Sequence, residues 1–226
     1  MMRWMLGLGV AAGLFWGTIP AVAAESCPPA GGFVPVKTVT LSTGIGDITY
    51  TADRSSAVIT AVSRKDGIGG SGLTTLGLTH HQAEIKMFIE VWSFNLGGGR
   101  TCAGLARVDA SWRMAKLFVD IASEYPPGGC NYRVIREHEA QHVAFAQGAF
   151  RDWTPRIEQA LRAAAEQITP QVSNADPAQI RRAMEGQLMA ALQPAFEGFR
   201  TDLKARNASI DTMANYRKTA ALCPRW

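Results

Sequence analysis

Residues 131–168 read NYRVIREHEAQHVAFAQGAFRDWTPRIEQALRAAAEQI. The apolar spacing of this run is that of a long helix. Asn131 is placed as its N-cap. Pro155 is expected to break or kink it near Trp153 and Thr154, because proline removes a backbone donor and crowds the preceding turn. Downstream, residues 169–175 read as a loop. Asp176-Pro177-Ala178-Gln179 has the form of a capping box with proline at the first helical position. A second long helix is expected from there to about Arg206, with a kink at Pro194. Residues 207–210 read as a short break and 211–222 as a final helix.

Upstream of Asn131 the pattern changes to alternation. Residues 26–32 are rich in proline and glycine. Residues 33–41, 48–52 and 57–62 read as strands from their valine, isoleucine and threonine content. Residues 83–94 alternate Ile85, Met87, Ile89 and Val91 against Glu84, Lys86 and Glu90, which also reads as strand. A glycine turn at 96–100 is followed by two further strands, 103–110 and 114–122. Pro126-Pro127-Gly128-Gly129 then stops the sheet. Strands followed by helices imply an α+β fold: an N-terminal antiparallel β-sheet followed by long C-terminal helices. No internal repeat is visible. Gly67 to Gly72 (GIGGSG) lacks the GK[ST] ending of a phosphate loop and reads as a flexible turn.

The N-terminus carries Arg3, then an apolar stretch without charge, then Ala21-Val22-Ala23. That is the layout of a secretory signal peptide, assigned to residues 1–24. The apolar run is short for a membrane span and Pro20 interrupts it. Glu25 before Ser26 and Cys27 does not fit a lipoprotein cleavage site, so no stable membrane anchor is expected after cleavage. The remaining 25–226 form one domain, β-rich over 25–130 and helical over 131–226. A hydrophobic fraction of 47% excludes a disordered chain. The net charge of +4 is dispersed, with no basic block, so no nucleic-acid partner is assigned. Oligomeric state is not legible in this pattern.

Four cysteines, Cys27, Cys102, Cys130 and Cys223, lie outside the signal segment. An even number in an exported chain suggests two disulfides. Cys102–Cys130, bracketing one β segment, and Cys27–Cys223, tying the termini, are the favoured pairing. A four-cysteine zinc site lacks the CxxC spacing it would need.

The chemistry lies in His138-Glu139-Ala140-Gln141-His142. On a helix, residues four apart lie one turn up on the same face, so both imidazoles can share one ion. Imidazole nitrogens suit zinc. Glu139 falls beside the ion, where a carboxylate can accept a proton from the attacking water and pass it to a leaving amine. This is the HExxH arrangement of zinc metallopeptidases. The competing reading of the same residues is a polar surface helix.

A third metal ligand is needed. Phe145 and Gly148 stand where the metzincin continuation has Gly and His, which excludes that class. Asp152 would lie about 15 Å along a straight helix from His142, out of reach. Glu158 and Glu166 could serve only if the chain folds back near Pro155. His80, His81, Glu185, Glu197 and Asp211 are the candidates from elsewhere. Tyr125 and Tyr132 are candidate oxyanion donors, with packing as the plainer role for each. Asn207-Ala208-Ser209 matches a glycosylation acceptor and is set aside in a chain of bacterial character.

Residues 121–130 (IASEYPPGGC), Tyr132, residues 137–143 (EHEAQHV), and the closing Ile210-Asp211-Thr212, Tyr216 and Cys223 together resemble a group of uncharacterised exported proteobacterial proteins, predicted zinc-dependent proteases. The resemblance covers most of the mature chain, with the HExxH core its specific part. It implies a zincin-like domain over 25–226, zinc at His138 and His142, and Glu139 as general base. It names no substrate beyond a peptide or protein and leaves the third ligand open. The expectation is therefore a periplasmic or secreted zinc metallopeptidase. The alternative is a non-catalytic periplasmic metal-binding or envelope-interaction protein, with the helix from Pro177 to Arg206 as its working surface.

Overall fold

The computed structural model describes residues 27–29, 31–65 and 73–226. The expected signal peptide and the turn at 67–72 lie outside these residues. The chain runs β1 (Thr38–Ile45), β2 (Ile48–Thr51), α1 (Ser56–Lys65), β3 (Gly77–Gly97), β4 (Arg100–Ile121), α2 (Cys130–Gln167), β5 (Gln171–Ser173), α3 (Pro177–Ile210) and α4 (Met213–Ala220). The architecture is α+β, as the sequence implies.

The sheet is mixed, and the expectation of an antiparallel sheet is corrected. β4 is its axis. β3 pairs with β4 antiparallel along nearly its full length, closing a hairpin at Gly97-Gly98-Gly99. All three glycines have positive φ, a conformation that side chains disfavour. On the other edge of β4, β5 pairs antiparallel, while β1 and β2 pair parallel. Alternation along a strand identifies its buried face but carries no information on the direction of its neighbour, which is why the parallel ladders were not legible. β1 and β2 act as one strand interrupted at Gly46. The Gly46 N–H bonds to the Met114 carbonyl at 2.8 Å, and a Cβ there would meet the Ala115 carbonyl oxygen at 2.7 Å. Ala115 is the residue that β4 bulges out between Met114 and Lys116. Only a glycine can pass that bulge so closely.

Residues 57–62, expected as a strand, belong to the helix α1. Ile59, Thr60 and Ser63 form its buried face, and Ile59 packs against Leu78 and Ala122. Its N-terminus is fixed by Glu124, whose carboxylate accepts from the Ser56 N–H at 3.0 Å and hydroxyl at 2.8 Å. A tertiary cap of this kind overrides the strand preference of β-branched residues. The two strands expected at 103–110 and 114–122 are one strand, β4.

Neither long helix is broken at its internal proline. α2 passes through Pro155 and α3 through Pro194. Both prolines are exposed, so the carbonyl each leaves unbonded faces solvent. α2 starts at Cys130 with Gly129 in the N-cap position, two residues before the expected N-cap Asn131. α3 carries the predicted capping box, with Asp176 accepting from the Gln179 N–H at 2.8 Å. It continues through 207–210, where a break was expected. At the far end of α2, Lys37 donates to the carbonyls of Ala165 at 2.5 Å and Ile168 at 3.1 Å. A cation is thereby placed at the negative end of the helix dipole.

α2 and α3 lie antiparallel and cover one face of the sheet. Trp112 of β4 stacks on Phe150 of α2 at 5.1 Å and meets Phe196 and Phe199 of α3 at 5.6 Å each. Around it pack Val108, Met114, Leu117, Val119 and Ile121 from the sheet, with Ile157, Leu161, Met184, Leu188 and Leu192 from the helices. Among the described residues no helix is long and apolar enough to cross a membrane.

The disulfides are Cys27–Cys102 and Cys130–Cys223, correcting the favoured pairing. Cys102 lies near the start of β4 and Cys130 follows its end. A strand rising about 3.3 Å per residue holds them on the order of 60 Å apart along the chain. Two separate strands could have folded back to bring them together; one continuous strand cannot. Two disulfides fit an oxidising, non-cytoplasmic compartment.

Candidate metal centre

His138, Glu139 and His142 fall on the first third of α2, on the side turned to the sheet and α3. Glu139 and His142 are buried and His138 nearly so. Glu137, Ala140 and Gln141 point to solvent. This follows from helix geometry alone: positions 138, 139 and 142 share one face and the intervening ones do not. His138, Glu139 and His142 form a group able to hold a metal ion, with one ligand atom from each within 4.8 Å of the others.

The imidazoles approach through their Nε2 atoms, 3.2 Å apart. His142 Nδ1 lies 3.0 Å from the side-chain oxygen of Asn207 on α3. An amide oxygen only accepts, so Nδ1 carries a hydrogen, and in the neutral ring Nε2 is the atom whose lone pair is available. Asp211, the C-cap of α3, places Oδ1 at 3.2 Å from His138 Nε2 and 3.2 Å from His142 Nε2. The Tyr216 hydroxyl donates to the same oxygen at 2.9 Å.

Glu139 is held from the opposite side by β3. The Thr79 hydroxyl donates to Oε2 at 2.8 Å and lies 3.3 Å from the Glu139 main-chain oxygen. Gly77 makes the approach possible. A Cβ at position 77 would stand 2.6 Å from Glu139 Oε1 and 2.7 Å from both Glu139 Cγ and Ile135 Cγ2. Gly77→Ala is expected to push the Glu139 side chain off its seat and cost about 1–3 kcal/mol in stability, the usual range for overpacking. Thermal unfolding of the variant beside the parent checks this, and an unchanged midpoint would show that the helix yields freely.

The electrostatics of the cluster suit a positive charge. Burial raises the Glu139 carboxyl above its ordinary range, partly offset by His142, Thr79 and His138. Burial also opposes ionisation of Asp211, but hydrogen bonds from His138 and His142, the charge of His142 and the Tyr216 hydroxyl hold its carboxyl well below the usual range. His142 is pulled two ways: burial lowers it, while Asp211, Glu139 and Asn207 raise it more. Burial and the neighbouring Asp211 push the Tyr216 phenol up. An ionised Asp211 thus faces two imidazoles in a largely dry setting, an arrangement that favours a positive charge between them.

The other expected ligands lie elsewhere. His80 is 3.3 Å from Asp120, a buried carboxylate that also receives Thr51 at 2.6 Å and Arg54 at 2.9 Å. His81 packs edge-on to Phe199. Asp152 pairs with Arg206, and Glu158 with Arg162. With α2 unbroken at Pro155, Glu158 and Glu166 lie about 24 and 36 Å along the helix from His142. Glu197 and Glu185 are about 21 and 39 Å back along α3 from Asp211. Tyr132 packs on the main core, and Tyr125 meets Trp226 at 5.9 Å. The tyrosine at the centre is Tyr216.

Gly77, Thr79 and Asn207 were not recognised from sequence. The first two sit at the start of a strand with no chemical signature. Asn207 carried only a glycosylation pattern, whereas its side chain faces His142. Comparisons with protein-family models, with curated protein sequences and with solved structures give no match.

Proposed function

We propose that this chain is an exported zinc-dependent metallopeptidase. One observation carries the reading: a buried carboxylate, Glu139, lies beside two imidazoles whose Nε2 atoms converge at 3.2 Å. The donor chemistry fits zinc. Neutral imidazoles are among its preferred ligands, and a tetrahedral ion with bonds of about 2.0 Å needs donors about 3.3 Å apart. His138 and His142 would hold the ion. When bound, zinc supplies Lewis-acid polarisation of a peptide carbonyl and acidifies water.

The protein's own groups supply the rest. Asn207 fixes the ring of His142 in the tautomer that leaves Nε2 free. Glu139, raised in basicity by burial and oriented by Thr79, accepts the proton of the attacking water and delivers it to the leaving amine nitrogen. Two disulfides suit a periplasmic or secreted location, and peptides or proteins are the substrate class.

The test is metal content of the purified protein, wild type beside His138→Ala, followed by assay on a peptide library. One equivalent of zinc lost in the variant, with hydrolysis by the wild type, is the expected result. Zinc binding without hydrolysis of any peptide would return the protein to a non-catalytic metal-binding role. A folded wild type that takes up no zinc would remove both.

A further inference from the structure

Two different carboxylates compete to complete the site, and they imply different chemistry. If Glu139 binds the ion, no base remains. If another group binds it, Glu139 is free to act. This inference rests on the metal-binding part of the reading above and not on peptidase activity. We propose that Asp211 is the third protein ligand, that Tyr216 positions it, and that Glu139 stays outside the coordination shell.

Geometry separates the two candidates. Asp211 Oδ1, His138 Nε2 and His142 Nε2 form a triangle with all three edges 3.2 Å. One face of a tetrahedron with bonds of about 2.0 Å has edges of about 3.3 Å, so the three atoms stand ready without rearrangement. The group containing Glu139 is bounded only by the looser limit of 4.8 Å. Glu139 also follows His138 directly and is rotated about 100° around the helix from it. Its carboxylate is already engaged by Thr79 and seated against Gly77 on β3.

The local structure around Asp211 is built to aim that one side chain. Its N–H bonds to the Asn207 carbonyl at 3.2 Å, closing α3. The next residue, Thr212, caps α4 by accepting from the Asn215 N–H at 3.1 Å, and the Asn215 side chain reaches back to the Ile210 carbonyl at 2.8 Å. The α3–α4 corner is therefore tied on both sides of Asp211. Tyr216, one turn into α4, donates to Oδ1 at 2.9 Å and sets the carboxylate orientation. Metal-ligating carboxylates are commonly oriented by such an outer hydrogen bond. The Asp211 side chain is 27% exposed against 11% and 10% for the histidines, so the site opens on the aspartate side. A set of two histidines and one aspartate leaves a position for a reactant there, as three-ligand sites do.

Zinc titration of the metal-free, disulfide-bonded protein against a chelating indicator tests this. Asp211→Asn is expected to lose more affinity than the roughly 10–100-fold that removal of an outer partner costs, and Tyr216→Phe to fall within that range. Glu139→Gln is expected to bind zinc as the wild type does. Loss of affinity in Glu139→Gln, or wild-type affinity in Asp211→Asn, would overturn the assignment. Should Asp211→Asn not fold, the anomalous peak in zinc-soaked wild-type crystals decides: an Asp211 oxygen within about 2.2 Å supports the proposal, and a Glu139 oxygen there overturns it. A wild type that binds no zinc fails the parent reading as well, and is thereby distinguishable.

Discussion

Glu139→Gln is expected to keep its zinc and to lose about 100- to 10,000-fold in kcat on any peptide the wild type cleaves, the range contributed by a positioned general base. Gln has the same shape, and its amide oxygen can still accept from Thr79, so the seat against Gly77 is preserved. What disappears is the capacity to take a proton. The same substitution has a second expected outcome in the metal-free protein. The folded-state pKa of Glu139 lies above its ordinary value, chiefly through burial. The folded state then binds its proton more tightly than the unfolded state does. Stability falls as pH rises from the ordinary Glu value through the raised one, so above the ordinary value the carboxyl is a net cost to the fold. Glutamine carries no such cost, so Glu139→Gln is expected to melt at a higher temperature than the wild type at pH 7. A functional site that costs the fold some stability is a common compromise. Retained activity would remove Glu139 from the mechanism, and a lowered melting point would show that its carboxylate is structural.

Removing the Cys130–Cys223 disulfide is expected to have the largest effect on stability. The bridge spans a sequence separation of 93 residues. In the chain-entropy treatment a loop of that size contributes about 4–5 kcal/mol, or on the order of 10–18 °C in Tm for a domain of this length. The effect should reach the site too. Cys130 is the first residue of α2 and Cys223 follows α4, so the closed loop contains His138, His142, Asn207, Asp211 and Tyr216. With the bridge gone, the α4 segment that aims Asp211 loses its covalent tie to the histidine helix. The Cys130→Ser/Cys223→Ser variant should therefore bind zinc more weakly, while Cys27→Ser/Cys102→Ser should be destabilised comparably with zinc affinity kept. Cys27–Cys102 anchors the N-terminal segment near the start of β4, where none of the site residues lie. Equal loss of zinc affinity in both variants would mean that the effect is global unfolding and not local tethering.

Several features of the fold followed from local rules. The capping box at Asp176 and Gln179 needs only four consecutive residues, and it forms as read. The strand at 83–94 and the helix carrying 138–142 have strong periodicities and persist, with longer bounds. Expectations failed where a distant partner overrode a local signal. Residues 57–62 form a helix because Glu124 caps it and because Leu78 and Ala122 receive Ile59. Pro155 leaves α2 unbroken because it faces solvent, a fact about packing that the position of a proline in sequence does not contain. The disulfide pairing failed for a related reason: the length of β4 as one strand separates Cys102 from Cys130.

The sequence by itself determined that two imidazoles and a carboxylate share one side of a helix, since the period of an α-helix converts the spacing at 138, 139 and 142 directly into position. It also determined that helices follow strands and that four cysteines are available to pair. Only the tertiary structure decided which of seven candidate residues stands against the histidines. Asp211 arrives there because α3 runs back along α2 without a break, bringing together groups separated by 69 and 73 residues. The direction in which the sheet presents Gly77 and Thr79 to Glu139 was decided in the same way. Local spacing fixes angles around one helix axis, whereas the partner that meets those angles is selected by packing of the whole chain.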